Sequence, residues 1–225
     1  MKIVMLPIPL LLFFLFFLLS SLFDCLNAQV PIPAKIDGFV YKSTPVWGDS
    51  VVVEAFLDPL CPDSRDSWPP LKKALQYYSS RLSLIVHPFP LPYHSNAFLA
   101  CRSLHIANKL NASSTYPLLE IFFKYQEKYY NAPTYKRTRA SVIGDMAKMA
   151  VMALGKNSLS AFQSGFNDSQ TDFAARISFK YGCSRGVTGT PFFFVNGIPL
   201  SDSVSPLDYN KWRSIIDPLV TEKEG

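Results

Sequence analysis

Val51-Val52-Val53-Glu54-Ala55-Phe56-Leu57 runs directly into Asp58-Pro59-Leu60-Cys61-Pro62-Asp63-Ser64. With a single charge in it, the first segment reads as a strand apolar on both faces, hence central in a sheet. Pro62 suits the first position of a helix, and Leu71, Ala74, Leu75 and Tyr78 repeat at helical spacing behind it. A buried strand feeding a Cys-Pro-x-x turn places the cysteine at a helix N-terminus, where free N–H groups and the helix dipole favour a thiolate. The fourth residue of this turn is Ser64. A hydroxyl cannot attack a mixed disulfide, so chemistry at Cys61 is monothiol chemistry.

Outward from this segment, Ile36 to Tyr41 reads as a further strand, followed by a turn signal at Trp47-Gly48-Asp49. The Pro69-Pro70 pair predicts a kink or a restart in the helix after Cys61. Leu82 to Val86 is a strand that stops at the prolines of His87-Pro88-Phe89-Pro90-Leu91-Pro92, and the helical crossover before it is long enough for parallel pairing with the first. From Ser95 to Tyr181 the pattern is helical. Ser95 caps a helix through Ile106, and others span about Tyr116–Tyr130, Arg139–Leu154, Leu159–Phe162 and Asp168–Lys180, with Gly155, Gly165 and Gly182 at ends. Phe192 to Val195 is a strand, Asn196-Gly197 a two-residue hairpin turn, Ile198 to Leu200 its partner, and Leu207 to Leu219 a closing helix.

Cys61-Pro62-Asp63-Ser64 and Val187-Thr188-Gly189-Thr190-Pro191-Phe192-Phe193-Phe194-Val195-Asn196-Gly197, in this order around a helical block, resemble the thioredoxin superfamily and most closely its DsbA-like branch. The resemblance covers about Ile36 to Leu219. It implies an α/β thioredoxin-like fold, with a central mixed sheet flanked by helices and a helical insertion at about residues 95–182. It also implies that Thr190 and a cis Pro191 lie beside Cys61 and offer backbone to an extended substrate; without it, a trans proline opening an edge strand is the better reading. Thioredoxins carry a buried acid six residues before the nucleophile, and Ala55 stands there. Glu54 is one position early, on the opposite face of the strand unless a bulge intervenes, so it reads equally as a displaced proton relay or as a solvated or paired structural acid.

Met1-Lys2 and the apolar stretch Leu10 to Leu22 read as a secretory signal peptide, cut after Ala28, with an uncleaved signal anchor as the alternative. Residues 29–225 then form one domain with no further apolar run long enough to span a membrane. Secretion removes Cys25, so Cys61, Cys101 and Cys183 remain in an oxidising compartment. An odd count predicts one disulfide and one free or exchanging thiol, and Cys101 with Cys183 is the candidate structural pair. Asn111-Ala112-Ser113 and Asn167-Asp168-Ser169 are glycosylation sequons at Asn111 and Asn167. The chain ends without a KDEL-like retention signal, which leaves secretion or an endomembrane lumen as the location. The net charge of +5 comes from scattered Lys and Arg with a modest cluster at Lys136-Arg137-Arg139. No nucleic-acid motif accompanies it, so a solvated basic face is the reading.

At the thiol, Arg65 favours the anion while Asp58, Asp63 and Asp66 oppose it. The motif favours an accessible Cys61 over a buried inert one. Ser64 reads either as a hydrogen-bond donor to the Cys61 sulfur or as an ordinary residue of the first helical turn. His87, His94 and His105 lack metal-ligand spacing with the cysteines, so neither zinc nor another cofactor is implied. His87 reads as a surface-loop residue and the Phe192–Phe194 run as core strand. These features support a monothiol protein that forms mixed disulfides with client proteins, disulfide peptides or glutathione, an isomerase-like activity for which no resolving cysteine is needed. The alternative is a redox-inactive module that holds an extended peptide at the Pro191 groove by backbone pairing. A lysosomal-type thiol reductase shares the Leu-Cys-Pro step, but the missing second cysteine and the Gly-Thr-Pro-Phe strand argue against it.

Overall fold

The computed structural model describes residues 32–41, 50–201 and 206–221. The chain divides into the units Met1–Ala34 and Lys35–Gly225, and the second carries all the elements below. The leader, Cys25 and the turn at Trp47-Gly48-Asp49 lie outside the described residues.

Five strands form one sheet in the order β1-β3-β2-β4-β5: β1 (Phe39–Val40), β2 (Val51–Leu57), β3 (Leu82–Pro88), β4 (Phe192–Val195) and β5 (Ile198–Pro199). β2 and β3 are parallel, from Val51 opposite Leu82 to Leu57 opposite Pro88, and the other pairings are antiparallel, so the sheet is mixed as expected. β1 is shorter than the predicted run. Gly38 adopts φ +103, ending the extended stretch before Phe39, and a Cβ there would lie 2.7 Å from the His87 ring. β3 is longer than predicted because Pro88 ends the ladder without needing its own N–H, and the Phe89 N–H then donates to the Leu57 carbonyl.

Helix α1 (Pro62–Tyr78) crosses from β2 to β3. It contains Pro69 and Pro70 without dividing: the carbonyls they deprive of a donor belong to half-buried Arg65 and exposed Asp66, on the outer side. Between β3 and β4 come α2 (Ala97–Leu110), α3 (Thr115–Tyr125), a single turn at Asn131–Thr134, α4 (Arg139–Leu154), α5 (Leu159–Gly165) and α6 (Ser169–Ser184), and α7 (Tyr209–Thr221) closes the chain. The cap before α2 is Asn96, not Ser95, whose N–H is taken by Asn131.

Alternation along β2 and β4 sorts the core onto two faces. Val53, Ala55, Leu57, Phe193 and Val195 join a large apolar cluster with Leu71 and Leu75 of α1 and Trp212 and Ile216 of α7. Phe56, Phe192 and Phe194 turn the other way into a small cluster that contains Cys61, Phe89, Leu91 and Val187. Gly182 of α6 lies against this second cluster, and a Cβ there would come within 2.5 Å of Phe89 and 3.2 Å of Phe56. Its role is therefore close packing on the sheet rather than punctuation alone.

Candidate functional site around Cys61

Cys61 is the N-cap of α1, with extended backbone, and Pro62 follows at the first helical position. Its thiol donates a hydrogen bond to the Thr190 carbonyl at 3.3 Å, and the Thr190–Pro191 peptide is cis. The two halves of the motif, 129 positions apart, thus meet at the sulfur. Cys61 is only 4% exposed, enclosed by the Phe56, Phe89, Leu91, Val187 and Phe192 cluster, where an accessible thiol was the expectation. The Thr190 side chain is also buried, and its Oγ1 has no hydrogen-bond partner among the described residues. Such an orphan costs roughly 1–3 kcal/mol.

Ser64 does not hydrogen-bond the sulfur. Fully buried, it accepts the Asp58 N–H at 3.2 Å and so ties the end of β2 to the first turn of α1.

Asp58, also fully buried, organises the loop that carries Cys61. One carboxylate oxygen accepts the Leu60 N–H at 2.8 Å; the other accepts the Leu91 N–H at 3.1 Å and faces His94 Nδ1 at 2.8 Å. The helical block supplies a second clamp. Gln126, fully buried, donates to the carbonyls of Pro59 (3.1 Å) and Cys61 (3.2 Å), while Tyr130 donates to its oxygen at 2.9 Å. Asn131 accepts the Ser95 N–H at 2.9 Å and donates to the Tyr93 carbonyl at 2.8 Å, gripping the backbone on both sides of His94. Leu60, Pro62, His94, Tyr129, Tyr130 and Asn131 line a groove of about 360 Å³ beside the thiol. The Tyr93 phenol is raised in pKa by partial burial and by the nearby charges of Cys61, Asp58 and Asp63.

A second polar cluster lies on the Phe56 face of the sheet. His87 is fully buried rather than on a surface loop, because it belongs to β3 opposite Phe56 and stacks on that ring at 4.5 Å. Its Nδ1 faces Asp37 at 2.9 Å and its Nε2 faces Glu54 at 3.4 Å, close enough for charge attraction but outside good hydrogen-bond geometry. Burial opposes the imidazolium, but the hydrogen bond to Asp37 and the nearby carboxylates of Asp37 and Glu54 outweigh it and raise its pKa. Burial likewise raises the Glu54 carboxyl, and His87, Tyr181 and Arg185 more than reverse this, leaving its pKa lowered. Glu54 is therefore a paired structural acid, held by the Tyr181 hydroxyl at 3.0 Å and by Arg185 at 3.4 Å. Asp37 also accepts from Ser178 at 2.7 Å, and Ser178 meets His105 at 3.1 Å.

The predicted Cys101–Cys183 disulfide is not formed, and Cys61, Cys101 and Cys183 are all free. Cys101 is fully buried in the core side of α2, which raises its pKa well above the ordinary value, whereas Cys183 is exposed in the last turn of α6. Asn111 and Asn167 are both exposed, at the end of α2 and just before α6. Among the described residues no helix is long and apolar enough to cross a membrane.

Sequence reasoning did not find Gln126 or Asn131 and assigned no role to His94. Only the aspartate inside the Asp-Pro-Leu-Cys turn marked the place where they converge.

Comparison with known proteins sets this geometry in context. The family model described as Thioredoxin matches residues 44–218. A candidate protein-disulfide isomerase from Pseudomonas syringae shares the fold with a TM-score of 0.65 and 21% identity, over 76% of this chain and 96% of that one. A periplasmic thioredoxin-like protein from Salmonella enterica serovar Typhimurium gives 0.57 and 20% over 83% and 89%. The thiol-disulfide exchange protein alpha-DsbA2 from Wolbachia pipientis gives 0.61 and 16% over 81% and 87%. No curated protein matches the chain.

Proposed function

Because this chain belongs to the thioredoxin family, and to its DsbA-like branch by fold, we propose that it is a monothiol thiol-disulfide exchange protein whose Cys61 forms mixed disulfides with disulfide-bearing client proteins or with glutathione. The observation that carries this reading is the Cys61 thiol at the α1 N-terminus, 3.3 Å from the Thr190 carbonyl. A thiolate there attacks a client disulfide; one client sulfur is joined to Cys61 and the other leaves as a thiolate. In this reading Thr190 and Pro191 face the client and offer it their backbone. Ser64 supplies no resolving sulfur, which favours holding or isomerising clients over net oxidation. In this reading residues 1–28 are a secretory leader, residues 29–225 the working domain, and Asn111 and Asn167 carry glycans in an extracytoplasmic compartment. The neighbours named as periplasmic or as thiol-disulfide exchange proteins support that setting and that chemistry.

One observation favours the second reading, a redox-inactive module that holds an extended peptide: Cys61 is buried. Incubation with a disulfide peptide followed by mass spectrometry decides between them. Exchange predicts a Cys61 adduct that Cys61→Ala abolishes, with faster release in Ser64→Cys. Absence of a Cys61 adduct in every redox buffer, or undiminished capture by Cys61→Ala, gives the site to the binding module.

A further inference from the structure

A monothiol site needs another way to let its client go, and the groove beside Cys61 contains a prepared proton acceptor. His94 Nδ1 lies 2.8 Å from the fully buried Asp58 carboxylate. A carboxylate only accepts hydrogen bonds, so Nδ1 is the donor of this pair and Nε2 is the ring nitrogen left toward the groove. No hydrogen bond occupies Nε2 among the described residues, and the ring, 21% exposed, forms part of the groove wall with Leu60 and Pro62, the neighbours of Cys61. The imidazole is fixed from several directions. The backbone N–H of His94 donates to the Leu91 carbonyl at 3.2 Å, Asn131 holds the residues on either side, and Asp58 anchors the ring at Nδ1. Asp58 joins the two partners directly, since the same carboxylate holds the Leu60 N–H of the thiol loop. A surface histidine with no task would not be expected to have so many independent constraints.

We infer that His94 is the general base that admits a second, small thiol to the groove and so resolves the Cys61 mixed disulfide, with Asp58 as its positioning residue. This rests on the mixed-disulfide reading above. The incoming thiol R′–SH gives its proton to His94 Nε2 as its sulfur attacks the client sulfur of Cys61–S–S–R. The bond to Cys61 breaks and the client leaves as R–S–S–R′; the imidazolium then gives its proton to solvent and the Cys61 thiolate takes one from solvent. Cys61–S–S–R and R′–SH thus become Cys61–SH and R–S–S–R′, with no net oxidant. The groove of about 360 Å³, with Tyr130 and Asn131 in its wall, has room for a small thiol.

The test separates capture from release. A Cys61 adduct is formed with a disulfide peptide, then release by 2-mercaptoethanol is timed for wild type, His94→Gln and His94→Ala, the last with and without imidazole. Glutamine keeps a donor for Asp58 but cannot take the proton. General-base catalysis is worth about 10²–10⁴-fold, so release should slow at least tenfold in both variants, capture should stay within about twofold, and imidazole should restore release in His94→Ala. Release at the wild-type rate in His94→Gln, or no recovery with imidazole, overturns the inference while leaving the mixed-disulfide reading intact. No adduct on wild-type Cys61 overturns both.

Discussion

His94 and His87 each face an aspartate, at 2.8 and 2.9 Å, yet the two regions around them differ in kind. His94 has one ring nitrogen anchored and the other in a groove, whereas His87 is sealed in the sheet with Asp37 on one side and Glu54 on the other. The first pair can pass a proton to something that arrives. The second is a charge cluster closed by Tyr181 and Arg185, and its effect is to hold β2, β3 and α6 together. Identical side chains therefore diverge in role through what covers the second nitrogen.

The largest effect should come from breaking the sealed pair. His87→Leu leaves Asp37 and Glu54 buried beside an apolar group, and removing one member of a buried ionic cluster costs about 3–5 kcal/mol. His94→Gln keeps the donor to Asp58 at the groove edge and should cost less than about 1.5 kcal/mol. Urea unfolding of the two variants measures the contrast. Equal losses would mean that the His94 region is also a structural cluster.

Acid titration distinguishes His87 from His105, which share Asp37 through Ser178. Burial lowers the His105 pKa from 6.5 to about 4, the Asp37 charge opposing. Below 6.5 the unfolded chain takes up a proton that the folded imidazole refuses, so stability falls as pH falls toward 4. Over the interval from pH 6.5 to 4.5 this amounts to roughly 2 kcal/mol at about 1.4 kcal/mol per unit. His87 behaves oppositely: its raised pKa makes its contribution complete below 6.5 and lost as pH rises through the folded value. Glu54, with its lowered pKa, contributes above 4.5 and loses that contribution only as pH falls through the folded value. His105→Phe, which keeps an aromatic ring near Phe39, should flatten the change between pH 6.5 and 4.5. An unchanged slope would locate the acid sensitivity in other groups.

Two helix glycines sharpen the contrast between the face at the site and the outer surface. An added Cβ at Gly182 meets Phe89 at 2.5 Å, in the cluster that surrounds Cys61, whereas at Gly144 nothing lies within 4 Å. Gly182→Ala should destabilise by about 1–3 kcal/mol through overpacking. Gly144→Ala should stabilise by about 0.8–1 kcal/mol through helix propensity. Thermal unfolding of both variants checks the opposite signs.

Much of the frame is legible along the chain. Val51–Leu57 announces a central strand, Pro62 starts the helix, and Thr190-Pro191 before three phenylalanines marks the loop that reaches the sulfur. The first two are local patterns of apolar spacing and proline chemistry, whereas the place of Thr190-Pro191 beside the sulfur comes from the family resemblance. The clamp around Cys61 is not legible, because Gln126 reaches it across 65 positions and His94 finds Asp58 across 36, with no periodicity linking the partners. Burial of Cys61 was missed for a related reason, since the residues that cover it come from β2, from the segment after β3 and from the approach to β4. The disulfide expectation rested on the cysteine count and compartment chemistry, neither of which contains the core placement of Cys101 against the exposed end of α6.

The smallest expected change at the thiol itself tests the assignment of Ser64, which in sequence reads equally as a donor to sulfur or as a residue of the helix. Its hydroxyl accepts the buried Asp58 N–H, so Ser64→Ala leaves that donor unsatisfied, at a cost of about 1–3 kcal/mol. As a brace, Ser64 acts on the loop rather than on the thiol, and adduct formation at Cys61 in the folded variant should then proceed within about twofold of wild type. A donor to the thiolate would show the reverse pattern: little loss in urea, but slower capture, because removing a hydrogen bond to the anion raises a thiol's pKa. The two measurements together therefore decide whether the fourth position of the motif tunes the sulfur or only holds in place the strand end that carries Asp58.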